Sequence, residues 1–206
     1  QTLADAESDA KAWEGEGGAG HSATFQGGLP PEVANFSPHL VIDVVRDVLP
    51  DDGILTYDVG AHTHQSASQC TAHAPRQCHI TNGWSSMGFG LPAAIAAKIA
   101  RPDLPVVCLI GDGCFQMTCG ELATTKRAGL TLPVVVLDDR WLGLIRVKQE
   151  RRQLSIYGTE LQVEEYREPP EHYFGVPAVG VRDSEALRIA LQAALQATGP
   201  TVIEAV

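Results

Sequence analysis

Two unbroken apolar runs, at 105–110 and 132–137, constrain this chain more than any other feature. A strand with one face in water alternates apolar and polar residues, whereas a strand covered on both faces reads as a continuous apolar run. The stretch between them, 116–128, has helical periodicity, and a strand-helix-strand unit with buried strands is the element of a parallel sheet. The rest of the chain repeats the theme. Ser37-Pro38 supplies an N-cap followed by proline at the first helical position, and Leu40, Val41, Val44, Val45 and Val48 continue at helical spacing. Pro50-Asp51-Asp52-Gly53 ends that helix. Strands are expected at 54–58, 177–181 and 201–206, and helices at 87–100 and 184–197, the last capped by Asp183. The expected fold class is α/β, a doubly wound, mostly parallel sheet with helices on both faces.

Residues 1–36 read differently. They are rich in glycine and alanine, hold six acids against the single base Lys11, and supply about half of the net charge of −10. They are expected to form a linker or the end of a preceding domain, with 37–206 as the folded domain. The opening residue, Gln1 rather than Met, fits a fragment or a processed chain. There is no basic stripe, which argues against a nucleic-acid partner. No apolar run has membrane-spanning length and no signal peptide opens the chain. Five cysteines without a C-x-x-C pair argue for reduced thiols, hence a cytoplasmic setting.

Ligands of a doubly wound sheet sit beyond the carboxyl ends of its strands. Here one strand runs into Gly111-Asp112-Gly113-Cys114 and the other into Asp138-Asp139-Arg140-Trp141. Asp112 and Asp139 are 27 residues apart, the length of one crossover, which places both carboxylates at one sheet edge. The flanking glycines let backbone approach a ligand closely, and a helix starting after Cys114 presents free N–H groups to an anion. Asp-Gly is also an ordinary turn pair, and a double aspartate also caps helices. Both motifs at one-crossover spacing favour a magnesium-bridged diphosphate site.

Gly111-Asp112-Gly113, with a side-chain pair after the crossover, resembles the signature of thiamine-diphosphate enzymes. Gly-Asp-Gly-Cys-Phe-Gln-Met at 111–117, Glu-Leu-Ala-Thr at 121–124 and Leu-Gly-Leu-Ile at 142–145 are similar to acetolactate synthase large subunits, as are Asp-Val-Gly-x-His at 58–62 and Met-Gly-Phe-Gly-Leu-Pro-Ala-Ala-Ile at 87–95. The resemblance implies the diphosphate-binding domain of a carboligase or decarboxylase acting on small 2-oxo acids. It implies thiamine diphosphate and Mg2+ as cofactors. Asp112, the side chain of Asp139 and the backbone carbonyl of Trp141 would hold the metal. Gly60, His62, Gly111, Gly113 and Cys114 would lie at the diphosphate. Met87 would support the bent cofactor, and Ser85 would meet the aminopyrimidine through its backbone. Read alone, His62 and His64 also suit a solvated loop, and Met87 suits core packing.

The resemblance implies partners as well. The cofactor-activating glutamate belongs to a pyrimidine-binding domain from the same or a partner chain, in a homo-oligomer (dimer or tetramer). No catalytic residue is assigned on this chain, which is expected to be inactive alone. Two positions depart from the family: Asp138-Asp139 replaces an asparagine pair, and Ala61 replaces a glutamine. These departures also suit a binding or assembly module that kept the fold and lost catalysis. An unrelated doubly wound domain for another phosphorylated ligand is the third reading.

Overall fold

The computed structural model describes residues 36–161 and 170–206, so the expectation for the acidic tail lies outside the described residues save at Phe36. The first helix of the described residues, α1 (Pro38–Val48), begins where the Ser37-Pro38 pair predicts. Ser37 makes no side-chain cap bond; its carbonyl accepts from Leu40 and Val41 instead. The elements then run β1 (Ile54–Tyr57), α2 (Thr63–Gln69), β2 (Cys78–His79), α3 (Gly90–Ala100), β3 (Val106–Gly111), α4 (Asp112–Thr118), α5 (Glu121–Arg127) and β4 (Pro133–Leu137). After these come α6 (Gly143–Arg151), β5 (His172–Tyr173), β6 (Val176–Val181), α7 (Ser184–Leu195) and β7 (Thr201–Ala205).

The sheet order is β2-β1-β3-β4-β7-β6-β5, parallel throughout except for the β5–β6 pair at one edge. Its two faces explain the unbroken apolar runs. Leu55, Tyr57, Val107, Leu109, Val135 and Ile203 face α1 and α7, where Val41, Ile42, Val45, Leu187 and Leu191 are buried. The alternate residues Ile54, Val106, Cys108, Ile110, Val134, Val136 and Val202 face α3 to α5, against Leu91, Ala94, Phe115 and Leu122. Every second side chain thus has its own helix layer, the doubly wound arrangement expected.

Two of the expected helices differ from the sequence reading by more than two residues. The helix expected over 87–100 starts at Gly90, because Gly88 takes φ +85°, a left-handed turn that interrupts helical geometry. The helix expected over 116–128 is two helices, α4 and α5, broken at Cys119-Gly120. The helix expected to follow Cys114 starts at Asp112 itself, directly off β3. Helices α2 and α6 and strands β2 and β5 carry too little periodicity to be read in advance. Asp183 caps α7 as expected, accepting from the Ala186 N–H at 2.8 Å. None of the described helices is long and apolar enough to cross a membrane.

Candidate functional site

Parallel pairing sets the two aspartate loops side by side. In the β3–β4 ladder Gly111 lies opposite Leu137, so Asp112 and the 138–140 turn leave the sheet at the same height. Asp112 is only 6% exposed. Its Oδ1 accepts from the Gly113 N–H at 2.7 Å, and its Oδ2 accepts from the Arg140 N–H at 2.8 Å. The Arg140 N–H also reaches Asp138 Oδ1 at 3.2 Å, and Arg140 takes φ +63° to present it. One backbone hydrogen therefore ties the two loops together. Asp139 is exposed, and its Oδ1 accepts from the Trp141 N–H at 2.9 Å. Its Oδ2 lies 2.7 Å from where a side chain on Gly143 would begin. Arg146 stacks over the Trp141 ring at 4.1 Å and bonds Glu150, pinning the far side of the loop.

The electrostatics are those of a site that wants a cation. Burial pushes the Asp112 carboxyl up to about 8, and the charge of Asp139 and a hydrogen bond with Asp138 push the same way. Although Asp139 is exposed as a residue, its carboxyl is partly desolvated, and this, then the charge of Asp138, raises it against the opposing Trp141 N–H bond and Arg146 charge. Among the described residues no group of three His, Cys, Asp or Glu gathers to hold a metal. Asp112 and Asp139 are carboxylates of this edge, and two carboxylates are a donor set that a hard cation completes with other oxygens.

The floor beside Asp112 is made of glycine and one imidazole. The His62 ring lies 2.9 Å from a side chain built on Gly60, too close for any larger residue unless the ring moves, and 3.3 Å from one built on Gly111, a tight fit. His62 is 5% exposed, which rules out a solvated loop role for it, while His64 is exposed. Burial lowers the imidazole to about 4, outweighing the Asp58 charge and backbone hydrogen bond that oppose it. It is neutral near pH 7, and its Nε2 has no partner. The Cys114 thiol donates to the Val59 carbonyl at 3.0 Å and, raised by burial to about 12, is an inert packing group. Met87 is half-exposed rather than packed in the core, and its Cε lies 3.5 Å from a side chain built on Gly113. Ser85 is exposed, with φ +55°. The structure thus gathers Gly60, His62, Met87, Gly111, Asp112, Gly113 and Cys114 at one edge, with Asp139 and Trp141 on the next strand's loop.

One organising residue escapes the sequence reading. Asp58 ends β1 fully buried, and its carboxylate accepts three backbone N–H groups: Val59 at 2.7 Å, Gly88 at 3.1 Å and Gly90 at 2.7 Å. It fixes the Met87 turn to the sheet. The signal available was its place at a strand end ahead of Val-Gly-Ala-His, the same kind of place that drew attention to Asp112.

This geometry has known counterparts. The chain matches the family model described as thiamine pyrophosphate enzyme, C-terminal TPP binding domain, over residues 58–205. It is 36% identical over 182 residues to an acetolactate synthase large subunit of Parasynechococcus marenigrum (strain WH8102), covering 85% of this chain and 28% of that protein. It is 41% identical over 120 residues to the acetolactate synthase isozyme 2 large subunit of Escherichia coli (strain K12), covering 58% of this chain and 22% of that protein. Its fold superposes with a TM-score of 0.75 on a thiamine diphosphate-dependent 4-hydroxybenzoylformate decarboxylase from Rhodococcus jostii RHA1, at 26% identity, over 84% of this chain and 32% of that one. The chain spans less than a third of the length of these relatives. A buried aspartate on a glycine floor, facing a second aspartate loop one crossover away, and a family match spanning both loops place this chain in the thiamine pyrophosphate enzyme family, as a C-terminal TPP-binding domain.

Proposed function

We propose that this domain anchors thiamine diphosphate through a magnesium ion held by the carboxylates of Asp112 and Asp139 and the backbone carbonyl of Trp141. The observation that carries this reading is Asp112: a carboxyl bonded on both oxygens and driven towards its neutral form by burial and then by a second aspartate. Such a pair is unfavourable alone and favourable around a divalent cation. The residues fit the diphosphate as well. Gly111 and Gly113 bring backbone without side chains to this edge, beside His62 and under Leu142 and Leu161, and the unpartnered Nε2 of buried His62 is a hydrogen-bonding group without an outlet. Gly60 makes room for that ring, and Cys114 buttresses the floor from below. Met87 and the backbone of Ser85 would meet the rings of the cofactor.

Bound thiamine diphosphate supplies the electron sink for decarboxylating 2-oxo acids, and we assign the parent protein to carboligases or decarboxylases of this type. This domain contributes positioning and charge neutralisation. The activating carboxylate belongs to a pyrimidine-binding domain, on the same or a partner chain, within a homo-oligomer. The free cysteines of the described residues fit a cytoplasmic setting. The domain division proposed is a tail over 1–36 and the binding domain over 37–206.

A second reading, a binding or assembly module that has lost catalysis, is favoured by one observation: Asp139 adds a second negative charge close enough to Asp112 to raise its carboxyl. Calorimetric titration with thiamine diphosphate, with and without Mg2+, separates the two. Magnesium-dependent binding that disappears in Asp112→Ala supports the first reading, and absence of binding in the unaltered chain supports the second.

A further inference from the structure

Among the described residues four buried side-chain polar atoms lack a hydrogen-bond partner: His62 Nε2, Gln65 Oε1, Ser66 Oγ and Thr159 Oγ1. The first three share the turn that opens α2. Thr159 belongs to a different segment, a short strap at 158–161 that pairs with the candidate metal loop. Trp141 and Glu160 form an antiparallel bridge, flanked by hydrogen bonds from the Leu142 N–H to the Thr159 carbonyl (2.8 Å) and from the Leu161 N–H to the Arg140 carbonyl (2.9 Å).

That register decides which way Thr159 points. In extended chain, residues two apart share a face, and residues opposite one another across a pair share it too. Thr159 therefore lies on the face of Leu161 and of Leu142. The side chains of those two leucines reach 3.2 Å and 2.8 Å from a side chain built on Gly113, at the first turn of α4. By this register Thr159 is turned the same way, towards the first turn of α4, and it is 2% exposed. A hydroxyl in such a place without a partner is a net loss, and valine has the same shape without that loss.

We propose that Thr159 is a further ligand-contacting residue of this site, whose hydroxyl donates to an oxygen of the metal-bound diphosphate. The inference rests on the diphosphate reading above. Thr159 is closed off from solvent, and the strap that carries it is tied to the metal loop by the two hydrogen bonds just given.

The test uses the whole chain, two substitutions and two probes. Thr159→Val removes the hydroxyl and keeps the shape; Thr159→Ser keeps the hydroxyl. Calorimetry is run with Mg2+ and thiamine diphosphate, and again with Mg2+ and inorganic pyrophosphate. Thr159→Val is expected to weaken both ligands by about three- to tenfold, one hydrogen bond's worth, and Thr159→Ser to stay within about twofold of the unaltered chain. The ligand-free melting temperature of Thr159→Val is expected to hold or rise, because no bond is lost. If the unaltered chain binds both ligands and Thr159→Val binds them equally well, the inference falls and the diphosphate reading stands. Weakened thiamine diphosphate with unchanged pyrophosphate, or a lowered ligand-free melting temperature, also overturns it. If the unaltered chain binds neither ligand, both readings fall together.

Discussion

Replacing Asp112 by asparagine is expected to make the ligand-free protein more stable, and increasingly so as pH rises. In the folded chain this carboxyl is held at about 8, above its ordinary value of 3.8. Between those values the native state keeps a proton that the unfolded chain has released. Stability from this group is therefore fully present below pH 3.8 and is lost as pH climbs towards 8. The slope for one such proton is about 1.4 kcal/mol per pH unit. Taken at face value to pH 7, that is on the order of 4 kcal/mol, an upper bound because Asp138 and Asp139 share the titration. Asparagine does not titrate, so it escapes the whole penalty. It keeps an acceptor for the Gly113 N–H but turns an amide towards the Arg140 N–H, a loss of about 1 kcal/mol. The Arg140 N–H retains Asp138 Oδ1 as a partner. The net gain expected at pH 7 is about 1–3 kcal/mol, or about 2–12 °C in melting temperature for a domain of this size. Chemical denaturation of both proteins from pH 5 to pH 8 measures it. A stability difference that stays flat across that range, or that favours the aspartate at pH 8, refutes the reasoning.

Asp139→Asn keeps an oxygen for magnesium and removes one anion beside Asp112; two unit charges about 4 Å apart interact by roughly 1–4 kcal/mol between bulk water and a protein surface. With the metal offsetting part of this, about tenfold tighter magnesium-dependent diphosphate binding is expected, and weaker binding on titration would show that the carboxylate is wanted for its charge. Asp58→Ala strands three backbone N–H groups at the end of β1 and is expected to destabilise the fold by about 3–5 kcal/mol, read by urea denaturation; a change below about 1 kcal/mol would contradict the pinning role. The purified chain alone is expected to show no 2-oxo acid decarboxylation, and turnover free of contaminating enzyme would show that the catalytic machinery lies here after all.

The parallel core was legible because its strands are covered on both faces, so burial is written as unbroken runs at 105–110 and 132–137. The pairing of Asp112 with the 138–140 turn was legible too, since one crossover fixes which strand ends are neighbours. What escaped was set by contacts distant in sequence. The strands β2 and β5, two residues each, have no periodicity to read, and α6 buries none of its residues. The break between α4 and α5 rests on a single Cys119-Gly120 step inside an otherwise helical pattern. Read alone, His62 suited a solvated loop as well as a diphosphate role, because only the folded sheet brings Gly111 against a ring that follows Gly60. Asp58 looked like part of a motif, and its three N–H partners come from residues up to 32 positions away.

The Asp58 anchor separates two jobs that a loop usually performs together. Because the Gly88 and Gly90 N–H groups are tied to a strand end, the elevation of Met87 above the glycine floor is dictated by the sheet, not by the residues that lead into the turn. The segment 81–86, with Trp84 92% exposed and Ser85 in a left-handed conformation, can then exchange side chains without retuning the ledge that follows it. Variation in this domain has a place to accumulate, at the rim over which any occupant must pass, while the platform beneath keeps one fixed height.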